Sequence, residues 1–172
     1  VIRASTVTNP NFDRDLGGWA VETAGSMTAA HTTEDVDQRP TSGSLSLDGS
    51  VSPAELTRIR QCVAAPSPDT YVGAVWARND SAVATLVTME LIPYTGPGCA
   101  PRGDGGETRR FTWDLEARQT AWSLIGTQVE IPEGTTSVEL VLSTAPLFES
   151  GQVDLLLDRV VFAVTLGPPI FT

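Results

Sequence analysis

The stretch 137–143 reads SVELVLS, and this stretch predicts most directly what kind of fold the chain adopts. Val138, Leu140 and Leu142 recur at every second position, while Glu139 and Ser143 fall on the opposite side. Side chains of a β-strand point alternately to the two faces of a sheet, so this pattern predicts a strand with one buried and one solvent-facing side. A sheet that is apolar on one face needs a second layer to cover that face.

Further short runs rich in β-branched and apolar residues lie on both sides of this strand along the chain. Turn-forming residues separate them, for example Asp48-Gly49, Asn79-Asp80 and Pro132-Glu133-Gly134. No segment combines a sustained helical apolar period with caps at both ends. Besides 137–143, the predicted strands are Ser44–Leu47, Leu56–Val63, Tyr71–Arg78, Ala84–Ile92, Thr108–Trp113, Ala121–Ile125 and Val153–Val164.

Regular short strands with turns between them are typical of an all-β antiparallel β-sandwich or barrel, and we favour the sandwich. The chain has 172 residues, which is within the usual size of one domain. We therefore predict a single β-sandwich domain over residues 1–166, with residues 167–172 as a C-terminal tail or the start of a linker.

The charge of the chain excludes several classes of function. All 11 basic residues are arginine, so chemistries that need an amine, such as Schiff-base catalysis or a P-loop lysine, are excluded. The net charge of -10 argues against nucleic acids and anionic lipids as partners, because both require a basic surface. Neutral glycans and cations remain compatible partners. The single His31 has no nucleophile or orienting acid placed beside it by any motif.

The chain contains two cysteines, Cys62 and Cys99, without a CxxC pair. We favour a disulfide between them, which would stabilise the fold by about 3–4 kcal/mol in the chain-entropy model. Two buried free thiols are the alternative. Cys99 lies in the long irregular stretch Pro93–Glu107, so the bridge would hold this loop against the strand that carries Cys62. A long loop in a compact domain is often functional.

A disulfide implies an oxidising compartment, and we therefore expect a secreted protein. The sequence begins at Val1 without an initiator methionine or an apolar signal segment. This beginning is expected either after removal of a signal peptide or for a domain of a longer protein.

The last predicted strand, Val153–Val164, is apolar on both of its sides. A sandwich strand has only one inner face, so a loop, the C-terminal tail or another subunit must cover the second. Self-association through this strand is the basis of an alternative function, namely a structural subunit of an extracellular fibre, surface layer or other assembly. By strict alternation, the two sets are Leu155, Leu157 and Val161 on one side and Leu156, Val160 and Phe162 on the other.

Short motifs in a characteristic order cover nearly the whole chain. They are Asn9–Asp13 (NPNFD), Gly18-Trp19, Ser42–Leu45 (SGSL), Gln61–Val63 (QCV), Pro68–Val72 (PDTYV), Ile131–Thr135 (IPEGT) and Leu157–Val160 (LDRV). This series resembles the jelly-roll carbohydrate-binding modules of families four, nine and twenty-two, which are galactose-binding-domain-like. Arg159 replaces the second acid of their closing D-D-V strand, and the cysteine pair is more similar to secreted bacterial variants. The resemblance implies a jelly-roll sandwich with a role in glycan binding.

The resemblance also implies a structural calcium ion between the first turn and the last strand, with Asp13 and Asp158 as ligands. Asp158 is notable in its own right, because alternation places it among apolar neighbours and a buried carboxylate must be paired or bind a cation. Oxygen ligands suit Ca²⁺, and Asp35 and Asp37 are further candidate ligands. The alternative is that a neighbouring arginine or backbone amides pair with Asp158 without a metal.

Glycan binding of this kind uses aromatic side chains that stack on sugar rings. We predict Tyr94, Trp113 and Trp122 as the ligand-binding residues, while Trp19 and Trp76 are expected in the core. The prediction is thus a non-catalytic binding module of a secreted bacterial protein for a polysaccharide or cell-surface glycan. It is not predicted to be an enzyme, because no motif places a pair of catalytic carboxylates.

Overall fold

The computed structural model describes residues 6–39, 41–65, 69–100 and 107–165, and these residues form ten β-strands and one 3₁₀ turn, Pro97–Cys99. Within the described ranges, no helix is long and apolar enough to cross a membrane. The strands are β1 (Ala20–Glu22), β2 (Thr28–Thr32), β3 (Ser44–Val51), β4 (Thr57–Ala64), β5 (Thr70–Asn79), β6 (Thr85–Tyr94), β7 (Arg109–Leu115), β8 (Gln119–Glu130), β9 (Ser137–Pro146) and β10 (Gly151–Val164).

The ten strands form two five-stranded sheets in which every paired strand is antiparallel. The first sheet has the order β1-β4-β9-β6-β7, and the second has the order β2-β3-β10-β5-β8. Their inner faces pack on each other, which confirms the predicted all-β antiparallel sandwich. The short edge strands β1 and β2 were not predicted, because three to five residues carry too little pattern to recognise.

The core lies between the two sheets and follows the predicted alternation most clearly in β9. Val138, Leu140 and Leu142 are at most 1% exposed, while Glu139 faces the opposite side. Burying an aliphatic side chain of this size contributes about 1.5–3 kcal/mol. In the second sheet the rings of Tyr71 and Phe162 stack with centroids 4.8 Å apart, and the predicted core residue Trp19 packs on Phe12 at 5.6 Å.

The last strand, β10, is interrupted by a β-bulge just after Asp158. Arg159 has a φ of 48°, in the left-handed region, and it is the extra residue that changes the phase of the strand. The prediction that Val160 and Phe162 face away from the side of Leu155 was therefore wrong, because strict alternation takes no account of a bulge. The residues of β10 that point into the core are Val153, Leu155 and Leu157 before the bulge and Val160, Phe162 and Val164 after it.

Both edges of β10 are paired within the chain. β5 lies along one edge, and β3 lies along the first half of the other. Beyond the bulge the N-terminal segment takes over from β3: the Thr6 N–H donates to the Phe162 carbonyl at 3.1 Å, and the Val160 N–H donates to the Pro10 carbonyl at 2.8 Å. Leu156, on the outer side, is 3% exposed. Within the described residues, both edges of β10 are therefore paired and Leu156 on its outer face is buried. Self-association through this strand stays a prediction.

A disulfide joins Cys62 on β4 to Cys99 at the end of the 3₁₀ turn, with the two Cα atoms 5.9 Å apart. This confirms the predicted bridge. The turn packs on β4, β6 and β9, so the bridge fixes it across the outer face of the first sheet. β6 continues through Tyr94, two residues further than predicted, and residues 101–106 of the predicted loop lie outside the described residues.

Candidate functional site

The outer face of the first sheet carries a groove that crosses its strands. The groove consists of two cavities of about 190 and 160 Å³, and Arg58 and Glu90 line both of them. We call this feature the sheet groove. The other residues that line it are Glu22, Leu56, Arg60, Leu86, Thr88, Ile92, Arg110, Thr112, Glu139, Val141 and Ser143.

Strand register arranges most of these side chains in two parallel rows across β4, β9, β6 and β7. The first, which we call the paired row, contains Arg60, Val141, Glu90 and Arg110. The second, which we call the open row, contains Arg58, Ser143, Thr88 and Thr112. Side chains directly opposite each other on neighbouring strands have Cβ atoms about 5 Å apart, so each row presents a continuous line of groups to a ligand.

Ion pairs fix the arginines of the paired row. The Arg60 guanidinium lies 2.7 Å from the carboxylate of Glu22 and 3.8 Å from that of Glu139. On the far side of the groove, Nε of Arg110 donates to Glu90 at 2.7 Å. Such exposed pairs add only about 0–1 kcal/mol each to stability. Their main effect here is to orient the charged groups before a ligand arrives.

The open row differs because its polar groups are not used inside the protein. Arg58 is exposed and makes no ion pair with any of the described residues. Next to it, Ser143 and Thr88 are 5% and 7% exposed and form the floor of the groove. Within the described ranges, neither hydroxyl has a side-chain hydrogen bond. A ligand in the groove therefore meets unused hydrogen-bonding groups along this row.

The disulfide-linked turn bounds the groove on the side of Glu139. Tyr94 lies there, 9% exposed, and its hydroxyl donates to Oε2 of Glu139 at 3.2 Å. The turn is anchored by Ser137, whose hydroxyl accepts from the Cys99 N–H at 3.0 Å and donates to the Gly96 carbonyl at 2.6 Å. Tyr94 thus positions a carboxylate of the groove, and little of its ring is available for stacking.

A larger depression of about 640 Å³ lies on the outer face of the second sheet, away from the sheet groove. The guanidinium of Arg78 lies 5.6 Å from the centre of the Trp122 ring, and its Nε donates to both carboxylate oxygens of Asp80 at 3.1 and 3.0 Å. Burial on its own would lower the pKa of Arg78, but the hydrogen bonds with Asp80 and Glu34 raise it above its usual value. Because Arg78 is engaged in this way, the depression offers no free cationic group at this point.

A pair of buried carboxyl groups lies at the edge of this second depression. Asp158 is 1% exposed and Asp35 is 7% exposed, and the two side chains are hydrogen bonded to each other. Asp158 also accepts from the backbone N–H groups of Val36 at 3.1 Å and Arg159 at 2.6 Å. Burial raises the pKa of Asp158 to about 7, since these two N–H groups offset the loss of solvation only in part and Asp35 raises it further. Two carboxyls in contact share one proton or one cation.

The structure does not bring the predicted site residues together. Tyr94 lies beside the sheet groove in contact with Glu139, whereas Trp113 on β7 is partly buried against the core. Trp122 lies on the other sheet, beneath Arg78. The carboxyl group that meets Asp158 is Asp35, while Asp13 is exposed and its N–H donates to Asn9. In the described part of the chain, no group of three or more His, Cys, Asp or Glu side chains converges as a metal site.

Sequence reasoning missed the charged residues of the sheet groove. The signal was present in the segment Arg58-Ile59-Arg60, where arginines alternate with an apolar residue and must share the outer face of a strand. The other charged residues of the groove, Glu90, Arg110 and Glu139, lie on strands far away in the sequence. Only the order of strands in the sheet shows that these residues meet.

Comparison with solved structures places this fold among carbohydrate-binding modules. A family 61 carbohydrate-binding module, TmCBM61, solved in complex with beta-1,4-galactotriose, is similar with a TM-score of 0.64 at 13% identity, and the match covers 95% of this chain and 100% of that one. A xylan-binding domain from carbohydrate-binding module family 22 has a TM-score of 0.60 at 18% identity, over 96% of this chain and 99% of that one.

A third similar structure belongs to a much longer chain. The enzymatically active domain of bacteriophage CBA120 tailspike protein 4 matches with a TM-score of 0.67 at 12% identity, over 94% of this chain but only 21% of that one. No protein-family model matches the chain, and no curated protein matches its sequence. The similarities therefore show the fold, a β-sandwich of the type found in carbohydrate-binding modules, as the sequence motifs predicted.

Proposed function

We propose that this protein is a non-catalytic glycan-binding module and that the glycan lies in the sheet groove. The observation that carries the proposal is the arrangement of the groove, in which a row of ion-paired charged groups runs beside a row of unused polar groups. Sugars present many hydroxyls that donate and accept, so a surface with both kinds of partner matches them. The similarity of the fold to carbohydrate-binding modules supports the same function.

The groove is suited to binding rather than to hydrolysis. Each of its carboxylates, Glu22, Glu90 and Glu139, is within 4 Å of an arginine. A glycosidase needs one carboxylic acid that is free to protonate the leaving oxygen, whereas every carboxylate of the groove is already paired with a guanidinium. We propose that these carboxylates accept hydrogen bonds from sugar hydroxyls instead.

Recognition by this groove would depend on hydrogen bonds more than on aromatic stacking. Among the described residues, no aromatic side chain lines the groove, and the ring of Tyr94 beside it is almost covered. Leu56, 37% exposed, and the neighbouring Leu86 supply the apolar surface on which the C–H groups of a sugar ring can rest. The predicted stacking role of Trp122 would require a second site on the other sheet.

We further propose a structural calcium ion at the Asp35–Asp158 pair. Two buried carboxyl groups supply oxygen ligands of the kind that Ca²⁺ prefers, and a divalent cation would replace the proton that they share. Its place would be where the loop after β2 meets the bulge of β10. Backbone carbonyls and water would have to complete the coordination, because six to eight oxygens are usual.

Secretion belongs to the same proposal. The Cys62–Cys99 disulfide supports an oxidising, extracytoplasmic location, since such bridges persist where thiols are not kept reduced. An extracellular glycan is a ligand found in that location. The alternative, a self-associating structural subunit, predicts an oligomer in sedimentation experiments, whereas the glycan-binding proposal requires no oligomer.

Affinity electrophoresis against a panel of soluble polysaccharides tests the proposal. We expect retardation by at least one member, and the variant Glu139→Gln should lose most of it because this carboxylate is fixed in the groove by Arg60 and Tyr94. The matched control is Glu133→Gln, an exposed residue in the turn before β9. No retardation by any polysaccharide, or equal binding by both variants, would count against the sheet groove as a glycan site.

A further inference from the structure

We propose that the ligand of the sheet groove is a mostly neutral glycan that carries a carboxylate group, and that Arg58 binds this carboxylate. This inference rests on the proposed glycan-binding function and specifies the chemical class of the ligand. It starts from the difference between the three arginines of the groove, Arg58, Arg60 and Arg110.

Two of these arginines already have carboxylate partners within the protein. Arg60 is held between Glu22 and Glu139, and Arg110 is held by Glu90. Glu22 lies directly opposite Arg58 in strand register, yet its carboxylate goes to Arg60 at 2.7 Å. Within the described ranges, Arg58 is thus the one guanidinium of the groove without a carboxylate partner.

Arg58 lies where the two cavities of the groove meet, so a ligand in either cavity can reach it. It lines both cavities, and on β9 and β6 its row continues with Ser143 and Thr88. Neighbouring strands are about 4.8 Å apart, so the open row from β4 to β7 spans about 14 Å. The distance between neighbouring strands, about 4.8 Å, is close to the length of one sugar residue in an extended chain. A sugar chain along the row would therefore place successive hydroxyls on Ser143, Thr88 and Thr112.

A guanidinium at the end of such a row selects a planar anion. Arginine presents several N–H donors in a fixed fork, which matches both oxygens of a carboxylate. The carboxylate of a uronic acid residue is the form in which polysaccharides most commonly present this group. The open row therefore combines one anion-binding group with three hydroxyls for neutral sugars.

The net charge of the chain limits how acidic the ligand is. At -10, the protein repels a polyanion at long range, as it would repel a nucleic acid. A neutral backbone with an occasional uronic acid experiences little of this repulsion and still supplies one carboxylate to Arg58. The ligand of the groove is accordingly a polysaccharide with few acidic residues on a neutral backbone.

The experiment compares each polysaccharide with its own carboxyl-reduced form. Glucuronoxylan and the arabinogalactan of gum arabic, both with glucuronic acid on a neutral backbone, serve as probes in calorimetry and affinity electrophoresis. Chemical reduction of their carboxyl groups leaves the backbone unchanged. We expect the native form of at least one probe to bind about fivefold to tenfold more tightly than its reduced form.

Variants of Arg58 assign that preference to this residue. Arg58→Gln should bind native and reduced forms equally, and Arg58→Lys should retain part of the preference because it keeps the charge but not the fork. Arg14→Gln, an exposed arginine of the N-terminal turn, is the matched control and should behave as the unmodified protein.

Four results would overturn the inference. Equal affinity of the unmodified protein for native and reduced forms would show that the carboxylate of the polysaccharide does not contribute to binding. A preference that survives in Arg58→Gln would place the carboxylate elsewhere. Binding only to neutral polysaccharides would overturn the inference while the proposed function stands, whereas no binding to any glycan would overturn both.

Discussion

The two outer faces of this sandwich are built from the same kind of strand but differ in how their charges are arranged. On the first sheet, arginines pair with glutamates on neighbouring strands, and among the described residues of the groove only Arg58 has no such partner. On the second sheet, the acidic groups Asp80 and Glu34 both engage Arg78. Burial raises the pKa of Asp154 there, and the nearby Asp80 and Asp48 raise it further.

The two faces therefore differ in what they would offer a glycan, a half-buried tryptophan on the second sheet and an arrangement of charges on the first. Trp122 draws attention in the sequence, but Arg78 lies over its ring and is itself engaged by Asp80 and Glu34. The first sheet has no exposed aromatic in its groove, yet it offers both donors and acceptors in register. Substitutions on each of the two faces, with glycan affinity and stability measured for each variant, test this comparison.

The largest effect is expected from removing the disulfide on the first sheet. The double variant Cys62→Ser, Cys99→Ser should lose about 3–4 kcal/mol of stability, because the unfolded chain gains the freedom that the bridge removes. Glycan affinity should fall as well, since the turn that anchors Tyr94 and Glu139 is released. Urea unfolding and affinity electrophoresis measure the two effects. A loss of less than about 1 kcal/mol would show that the unfolded chain is not constrained as the model assumes.

The buried carboxyl pair on the second sheet should make stability depend on pH. In the folded state the pKa of Asp158 is about 7, above its ordinary value of 3.8, so the folded protein binds the proton more tightly than the unfolded chain does. In EDTA, the melting temperature should therefore fall by several degrees as pH rises from about 4 to 7. Asp158→Asn should flatten this dependence.

The same melting experiment, repeated with added calcium, tests the proposed metal site. If Ca²⁺ binds the Asp35–Asp158 pair, adding it at pH 7 should restore the melting temperature in the unmodified protein and not in Asp158→Asn. An unchanged melting temperature on addition of calcium would contradict the proposed metal site and leave a shared proton as the state of the pair. Glycan affinity at the sheet groove should change little in either arm.

A smaller effect on stability, with a clear effect on binding, is expected for Arg60→Gln. The change leaves Glu22 and Glu139 without their common partner and should lower glycan affinity about tenfold, or about 1.4 kcal/mol. Stability should change by less than about 1 kcal/mol, because the ion pairs are exposed. Arg109→Gln, whose partner Glu107 lies outside the groove, is the matched control in calorimetry. Equal losses in both variants would point to a general charge effect.

The smallest effect is expected for Trp122→Ala on the second sheet. The variant removes the contact with Arg78, which contributes about 0.5–1 kcal/mol at an exposed site, and should leave glycan affinity unchanged. Urea unfolding and calorimetry with the same glycan check both parts. A loss of affinity would place the binding site at the larger depression and reverse the comparison between the two faces.

The fold could be predicted from local patterns because those patterns repeat in most strands. Alternation in 137–143 correctly separates Val138, Leu140 and Leu142 from Glu139, and the two cysteines form the predicted bridge. The bulge at Arg159 could not be predicted, since a non-glycine residue with positive φ leaves no mark in the pattern. One inserted residue then exchanges the faces of everything that follows in the strand.

The candidate site was harder to predict because it depends on register between strands that are distant in the sequence. Arg58 and Ser143 are 85 positions apart and yet directly opposite each other. Asp35 was only one of several acidic residues in its loop until the fold placed it against Asp158. For Asp158 the sequence correctly indicated a buried carboxyl group, while its role as a metal ligand and the binding roles of Tyr94, Trp113 and Trp122 stay predictions.

The distribution of the tryptophans has a consequence for how binding is detected. Trp19 packs on Phe12, Trp113 lies against the core, and Trp76 and Trp122 belong to the second sheet. None of the four lines the sheet groove. Intrinsic fluorescence should therefore stay almost constant when a glycan enters the groove, even at saturation. A titration followed by emission would register nothing from tight binding, while heat release or mobility in a glycan-containing gel would register it directly.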